Sequence, residues 1–134
     1  MFNILRVKKS LGNVDLIVNF VERKIIFHGS NFADFYLEQS TKVQEKIEFV
    51  LRIIRQVERV SKKFLIPLAG TDGLYEVRVE YGSNIYRIFC CFDNGNLVVL
   101  FNGFQKKTQK TPLKEIEKAL KLKREYFELK NSRK

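Results

Sequence analysis

The sequence predicts a mixed α/β (α+β) fold, in which a helical hairpin packs on an antiparallel sheet and a further helix follows. Three observations support this prediction. Residues 74–101 alternate or run apolar with turn residues between the runs, and residues 42–60 carry apolar side chains at helical spacing. The dipeptide Thr111-Pro112 is a typical helix start that precedes a basic, amphipathic C-terminal stretch.

The centre of the chain reads as a meander of three short strands. Residues 74–81 alternate between polar and apolar side chains, and residues 85–92 are nearly all apolar except Arg87. An Asn-Gly dipeptide that favours a tight hairpin comes next, and residues 97–101 are typical of a strand buried on both faces. Because an unpaired cation is costly to bury, we expect Arg87 to lie on an open face or to meet an anion.

The residues before the meander predict strands and then two helices. The strands are expected at residues 2–7, 14–21 and 24–28. Ser30 or Asn31 caps a short helix over residues 32–39. A second helix over residues 42–60 carries an apolar face at steps of three and four, formed by Val43, Ile47, Val50, Ile54 and Val57.

The second helix begins at Ser40 or Thr41 as its cap. With Thr41 as the cap, Gln44 falls at the third helical position and completes a capping box. The apolar face favours a hairpin laid against the sheet over a partner-binding coiled coil, because the pattern is too short for the latter.

The C-terminal helix is predicted to begin with Thr111 as its cap and Pro112 at its first position. We expect it to fray beyond Leu129. Its apolar face is predicted to comprise Leu113, Ile116, Leu120 and Phe127, with Ala119 and Tyr126 beside it.

Length and charge indicate one basic domain. The 134 residues are most simply a single domain, 1–134, with a formal net charge of +10. Residues 102–134 contribute +7 of this charge, from eleven Lys and Arg against four Glu. Such a balance favours a polyanionic partner, either nucleic acid or an acidic protein, although a solvated helix face explains a basic run equally well.

Several function classes are excluded by what the sequence contains. His28 is the sole histidine, so a metal centre and a histidine-based catalytic triad are not expected, and no phosphate-binding glycine motif occurs. The adjacent Cys90 and Cys91 point to opposite faces of a strand and do not suit a disulfide, which fits a reducing cytoplasm. No run is long enough for a membrane span, and the N-terminus lacks the pattern of a signal peptide.

Cations interleaved with aromatic residues suit single-stranded RNA, because Lys and Arg neutralise phosphates and aromatic rings stack on splayed bases. RNA can be cut without a metal, since its 2′-OH attacks the adjacent phosphate and fixed cations stabilise the charge that develops. A plain binding or structural patch remains the alternative from composition alone. The cluster comprises Arg78, Arg87, Lys106, Lys107, Lys110, Tyr75, Tyr86, Phe101, Phe104 and Tyr126.

Two runs of the sequence carry a family resemblance. They are GLYEVRVEYGSNIYRIFCCFD and LVVLFNGFQKKTQKTPLKEIEKALKLKREY, the second containing F-x-K-K-T-x-K-T-P followed by E-I-E-x-A. Together with the strand KIIF and the loop AGTDG, they resemble the phage-derived, HigB-like branch of the RelE/ParE toxin superfamily. The resemblance covers residues 23–127, and residues 1–22 form an extension or an extra strand.

The resemblance implies two helices before a twisted antiparallel sheet with a basic concave face, and a helix after it. It also implies the toxin of a type II toxin–antitoxin pair, an mRNA endoribonuclease that acts on the ribosome without a cofactor or metal. The implied partners are ribosome, mRNA and an antitoxin, here expected to be a small helix-turn-helix protein.

The resemblance also implies roles for individual residues. Arg87 and Arg78 match basic strand residues that hold the scissile phosphate, whereas Glu76 stands where RelE-type proteins place another basic residue. Lys106 and Lys107 are expected to stabilise the transition state and shuttle protons. The other predicted residues are Tyr126 as an alternative base, Phe104 or Tyr126 for stacking on a base, and Phe104, Lys110 and Lys114 as RNA contacts.

Two alternatives remain open on the sequence. The ParE branch of the same superfamily acts on DNA gyrase and cuts no RNA, and one fold serves both functions. A catalytically inactive member that only binds RNA is the other alternative, expected to show strong salt dependence.

Overall fold

A computed structural model describes residues 5–11, 14–107 and 110–133, with side chains from Phe20 onward. The predicted mixed α/β fold is confirmed. The elements in chain order are β1 Leu5–Leu11, β2 Val14–Phe20, β3 Lys24–Phe27, α1 Asn31–Leu37, α2 Thr41–Gln56, β4 Leu65–Pro67, β5 Tyr75–Tyr81, β6 Asn84–Asp93, β7 Leu97–Lys106 and α3 Leu113–Ser132.

Five strands form the main sheet, in the order β3-β7-β6-β5-β4. Neighbours are antiparallel except β3, which pairs parallel with β7. β1 and β2 pair with each other in a separate antiparallel sheet, as their period-two pattern predicts. Residues 2–4 and the turn at 12–13, which were also assigned from the sequence, lie outside the described residues.

The predicted meander is confirmed as β5-β6-β7. Asn94 and Gly95 join β6 to β7 with φ values of 54° and 74°, the positive pair that a two-residue hairpin turn requires. The prediction that β7 ends at Phe101 was wrong, because the strand continues to Lys106. A register shift between Ile88 and Cys90 lets both Phe101 and Asn102 be buried, which breaks the alternation that the sequence pattern relies on.

Two layers of helix enclose the sheet. α1 and α2 pack on one face, where Ile47, Val50 and Ile54 are fully buried, and α3 packs on the other through Ala119. Cys90 belongs to the first of these cores and Cys91 to the second, so the expectation that they face opposite sides is confirmed.

The cap of α2 is Ser40, whose hydroxyl accepts a hydrogen bond from the backbone N–H of Val43 at 3.3 Å. The alternative capping box at Thr41 was wrong, and the Gln44 side chain instead donates to the Tyr36 carbonyl in α1.

α2 ends at Gln56, before the predicted residue 60. Val57 is extended and forms a bridge with Phe20. The Arg23 guanidinium donates to the carbonyls of Ile54, Val57 and Glu58 at 2.6–2.7 Å, so a side chain distant in sequence satisfies the end of the helix.

The start of α3 differs by one residue from its prediction. Pro112 is the N-cap, and its carbonyl accepts from the N–H groups of Glu115 and Ile116. Thr111 therefore is not the cap, and its hydroxyl donates to Glu76 instead. Leu113 is 67% exposed and does not join the apolar face, which Ile116 begins.

The far end of α3 also differs from its prediction. The helix continues to Ser132, beyond the predicted fraying point at Leu129. The described part of the chain contains no helix that is both long enough and apolar enough to cross a membrane.

Candidate nucleic-acid interface

Three adjacent strands bring four of the predicted site residues onto one face of the sheet. Arg78 on β5 pairs with Arg87 on β6, which pairs with Phe104 on β7, and Lys106 lies two residues further along β7. Directly paired residues project to the same side, so these side chains share the face that α3 covers further along the sheet. We call Arg78, Arg87, Phe104 and Lys106 the cross-strand cluster.

Arg87 meets an anion, which is the second of the two environments expected for it. The Arg87 side chain is 2% exposed, and its Nε lies 3.2 Å from Oε2 of Glu76, which is 4% exposed. The Thr111 hydroxyl donates to the other Glu76 oxygen, Oε1, at 3.3 Å. The carboxylate thus lies between the arginine and the residue that precedes the N-cap of α3.

The charges around Arg87 act in opposite directions. Burial lowers the pKa of the Arg87 guanidinium below its usual value, Glu76 and Glu80 raise it, and Arg78 lowers it. Two like charges directly opposite each other on neighbouring strands are destabilising on their own. The Glu76 carboxylate is the buried negative charge that offsets this repulsion.

The guanidinium groups nevertheless keep unused donors. Nε and Nη1 of Arg87 and Nε of Arg78 are buried without a hydrogen-bond acceptor in the described part of the chain. The Glu76–Arg87 contact is therefore an ion pair by distance without the geometry of a good hydrogen bond. Buried donors are normally satisfied, so three such atoms in one place distinguish this face from ordinary core.

The remaining predicted cations lie after the cluster along the chain. Lys106 is half-buried, and Lys107, Lys110 and Lys114 are exposed, with Lys114 in the first turn of α3. Asn102 holds that turn against β7, because its side-chain amide donates to the backbone carbonyl of Glu115 at 3.2 Å.

The structure places Tyr126 away from the cluster. Its hydroxyl donates to Asp93 at 2.7 Å, at the end of β6 that lies six residues, or about 20 Å, from Arg87. Lys130 binds the same carboxylate at 2.8 and 2.9 Å. Burial, with the bond to Asp93, raises the pKa of Tyr126 to about 12. These contacts join the C-terminal half of α3 to the β6–β7 hairpin.

Phe104 lies within the cluster and is half-buried, with its ring centroid 5.5 Å from that of Phe89. One of its ring faces is thus supported by the core, which keeps the side chain in place beside Arg87. Of the two aromatic residues predicted to stack on a base, Phe104 is the one that lies beside the predicted phosphate contacts.

The other titratable groups are structural. His28 pairs with Glu125 at 3.6 Å beside the ring of Tyr126. Burial raises the pKa of both thiols, that of Cys91 to about 11, so neither is a reactive thiolate. Among the described residues, no three His, Cys, Asp or Glu side chains gather as a metal site would require.

Sequence reasoning did not assign roles to three residues that shape this site: Glu76, Asn102 and Thr111. Glu76 and Arg78 share a face of β5, so their alternation already placed a carboxylate beside the predicted phosphate contacts. The register of β5 against β6, which sets the distance from Glu76 to Arg87, has no signal in the sequence.

Comparison with known proteins agrees with this geometry. No curated protein matches the chain. The model of the family described as Phage derived protein Gp49-like (DUF891) matches residues 34–124, which include the whole cross-strand cluster. The chain therefore belongs to the phage-derived Gp49-like family, a RelE/HigB-like family of toxins in toxin–antitoxin systems.

Proposed function

We propose that this toxin is a ribosome-dependent mRNA endoribonuclease that inhibits translation. The observation that carries the proposal is the cross-strand cluster, which combines two arginines, a lysine and a supported aromatic ring on one face. Unsatisfied guanidinium nitrogens of Arg78 and Arg87 support a role in holding an oxyanion.

In this mechanism the 2′-OH of a nucleotide attacks the adjacent phosphate, and the 5′-oxygen leaves. Arg78 and Arg87 hold the phosphate, and Lys106 and Lys107 stabilise the extra negative charge of the transition state. Phe104 stacks on a neighbouring base, which fixes the RNA backbone in the geometry for in-line attack.

Proton transfer is assigned to Lys106 and Lys107, which follow the cluster at the end of β7. Tyr126, the alternative base, is engaged with Asp93 at the opposite end of β6. Because its pKa is raised to about 12, its hydroxyl is a poor proton acceptor near neutral pH.

The partners follow from the same surface. Residues 1–134 act as one domain in the cytoplasm, where ribosome and mRNA meet. A cognate antitoxin, itself a small helix-turn-helix protein, covers or distorts the basic face and so blocks access to RNA. The net charge of +10 favours both the acidic antitoxin surface and the RNA.

The test is mRNA cleavage mapped by primer extension in a cell-free translation reaction, with and without ribosomes. Arg78→Gln and Lys106→Gln are each expected to lower cleavage at least about tenfold, because each removes a cation that faces the developing charge. Lys121→Gln, which removes an exposed cation on α3 away from the cluster, is the matched control. Cleavage that persists unchanged in both cluster variants contradicts the mechanism.

A second candidate is an RNA-binding member that does not cut. The specific observation in its favour is the burial of Arg87 behind Glu76, which occupies the predicted phosphate contact. Ribosome binding with intact mRNA supports this candidate. Intact mRNA together with relaxed plasmid supercoiling supports instead the gyrase-directed activity of the ParE branch.

A further inference from the structure

The face that carries the cross-strand cluster contains a negative charge that an anion-binding site does not need. The Glu76 side chain lies on the same side of β5 as Arg78, and the ion pair it forms with Arg87 is almost fully buried. A buried ion pair contributes little net stability, because desolvation of both charges offsets their attraction. Its presence here calls for a role other than holding the fold together.

The geometry of the pair is that of a counter-ion and not of a fixed clamp. A carboxylate that clamps an arginine accepts two parallel hydrogen bonds from the guanidinium fork. Glu76 approaches one nitrogen at 3.2 Å, and both Nε and Nη1 of Arg87 are without a hydrogen-bond acceptor in the described residues. An oxyanion with more oxygens than a carboxylate satisfies these donors better.

We propose that Glu76 is a displaceable internal counter-ion that occupies Arg87 in the free protein and sets the affinity of this site for a phosphate group. A phosphate binds by displacing the Glu76 carboxylate from Arg87, and Arg78 then contributes its unused Nε. That the phosphate belongs to RNA rests on the proposed function, whereas the displacement itself does not.

Thr111 stabilises the occupied state. Its hydroxyl donates to Glu76 Oε1 at 3.3 Å, so it holds the carboxylate in place from the side opposite Arg87. Displacing Glu76 breaks this hydrogen bond as well as the ion pair. The affinity for phosphate therefore depends on both residues, although neither is expected to contact the phosphate.

The experiment follows the Arg87 Nε–Hε resonance by nuclear magnetic resonance while inorganic phosphate is added to the full chain. The readout is specific to this side chain, so phosphate bound by surface lysines does not interfere. Glu76→Gln keeps the size and a hydrogen-bonding group but removes the charge. It is expected to lower the apparent Kd for phosphate at Arg87 at least about tenfold, the effect of one charge-assisted hydrogen bond.

Glu80→Gln is the matched control. Glu80 is an exposed carboxylate on the same face of β5, and it acts on Arg87 through its charge. This variant removes the same charge and is expected to change the apparent Kd less than threefold. Equal effects of the two variants overturn the proposal, because they indicate a general electrostatic field. An unchanged or weaker affinity in Glu76→Gln overturns it as well.

Thr111→Val provides a variant that keeps every charge. It removes the hydrogen bond to Glu76 and is expected to strengthen phosphate binding at Arg87 several-fold. If Glu76→Gln fails to fold in a thermal unfolding scan, this variant decides the question, and wild-type affinity in it refutes the proposal.

The outcome is separable from that of the proposed function. Tighter phosphate binding in Glu76→Gln without mRNA cleavage by any variant leaves the counter-ion role in place and refutes the endoribonuclease. Cleavage by the wild-type chain with no change in phosphate affinity on Glu76→Gln has the opposite meaning.

Discussion

Gly103 lies where β7 passes beneath the ring of Phe35, and replacing it with alanine tests the packing that supports the cross-strand cluster. A Cβ at this position would lie 2.5, 2.7 and 2.9 Å from three ring atoms of Phe35. Ordinary carbon–carbon contacts are about 3.5–4.0 Å, so the ring must move by about 1 Å. Phe35 is itself buried, and its ring centroid lies 6.4 Å from those of Phe32 and Tyr86.

Overpacking of this kind costs about 1–3 kcal/mol of unfolding free energy. A cost of about 2 kcal/mol lowers the Tm by roughly 7 °C for a chain of 134 residues at average unfolding entropy. Gly103→Ala is therefore expected to unfold about 7 °C below the wild type, measured by circular dichroism.

The matched control is a double-mutant cycle with Phe35→Leu. The smaller side chain removes the clash, so Gly103→Ala in the Phe35→Leu background is expected to cost less than half of its cost in the wild type. Wild-type stability of the single variant, or equal costs in the two backgrounds, refutes the reasoning from this contact.

Two further predictions concern the ends of the helices. Ser40→Ala is expected to lower the unfolding free energy by about 1 kcal/mol because it removes the N-cap of α2, whereas Thr41→Ala, one residue later, should cost less than half as much in the same denaturant titration. The pKa of Tyr126 is raised from its ordinary value of 10 to about 12, so the stability tied to its protonated form is lost as pH rises from about 10 to 12. Tyr126→Phe is expected to flatten this part of the stability–pH curve, and an unchanged slope relative to the wild type contradicts the assignment.

Much of the fold follows from local patterns. The alternation in β5 and the apolar run of β6 place the meander, and the Asn94-Gly95 turn sets its second hairpin. These features depend on side-chain period and on backbone preferences within a few residues, which the sequence displays directly.

The errors have a common cause in contacts between distant parts of the chain. Arg23 ends α2 four residues before the predicted boundary, because its guanidinium satisfies the last carbonyls. Thr111 was assigned as a cap because a hydroxyl before proline is typical there, but Glu76 attracts its donor. Local propensity is a weak preference that such contacts override.

The candidate site divides in the same way. The sequence by itself determined which residue types are available: a basic C-terminal third, two strand arginines, aromatic residues between them and a motif of the toxin superfamily. The tertiary structure alone decided which of them meet, because strand register and the position of α3 are set by packing over the whole chain. It brings Arg78, Arg87, Phe104 and Lys106 together, places Tyr126 at the far end of β6, and puts the carboxylate of Glu76 against Arg87.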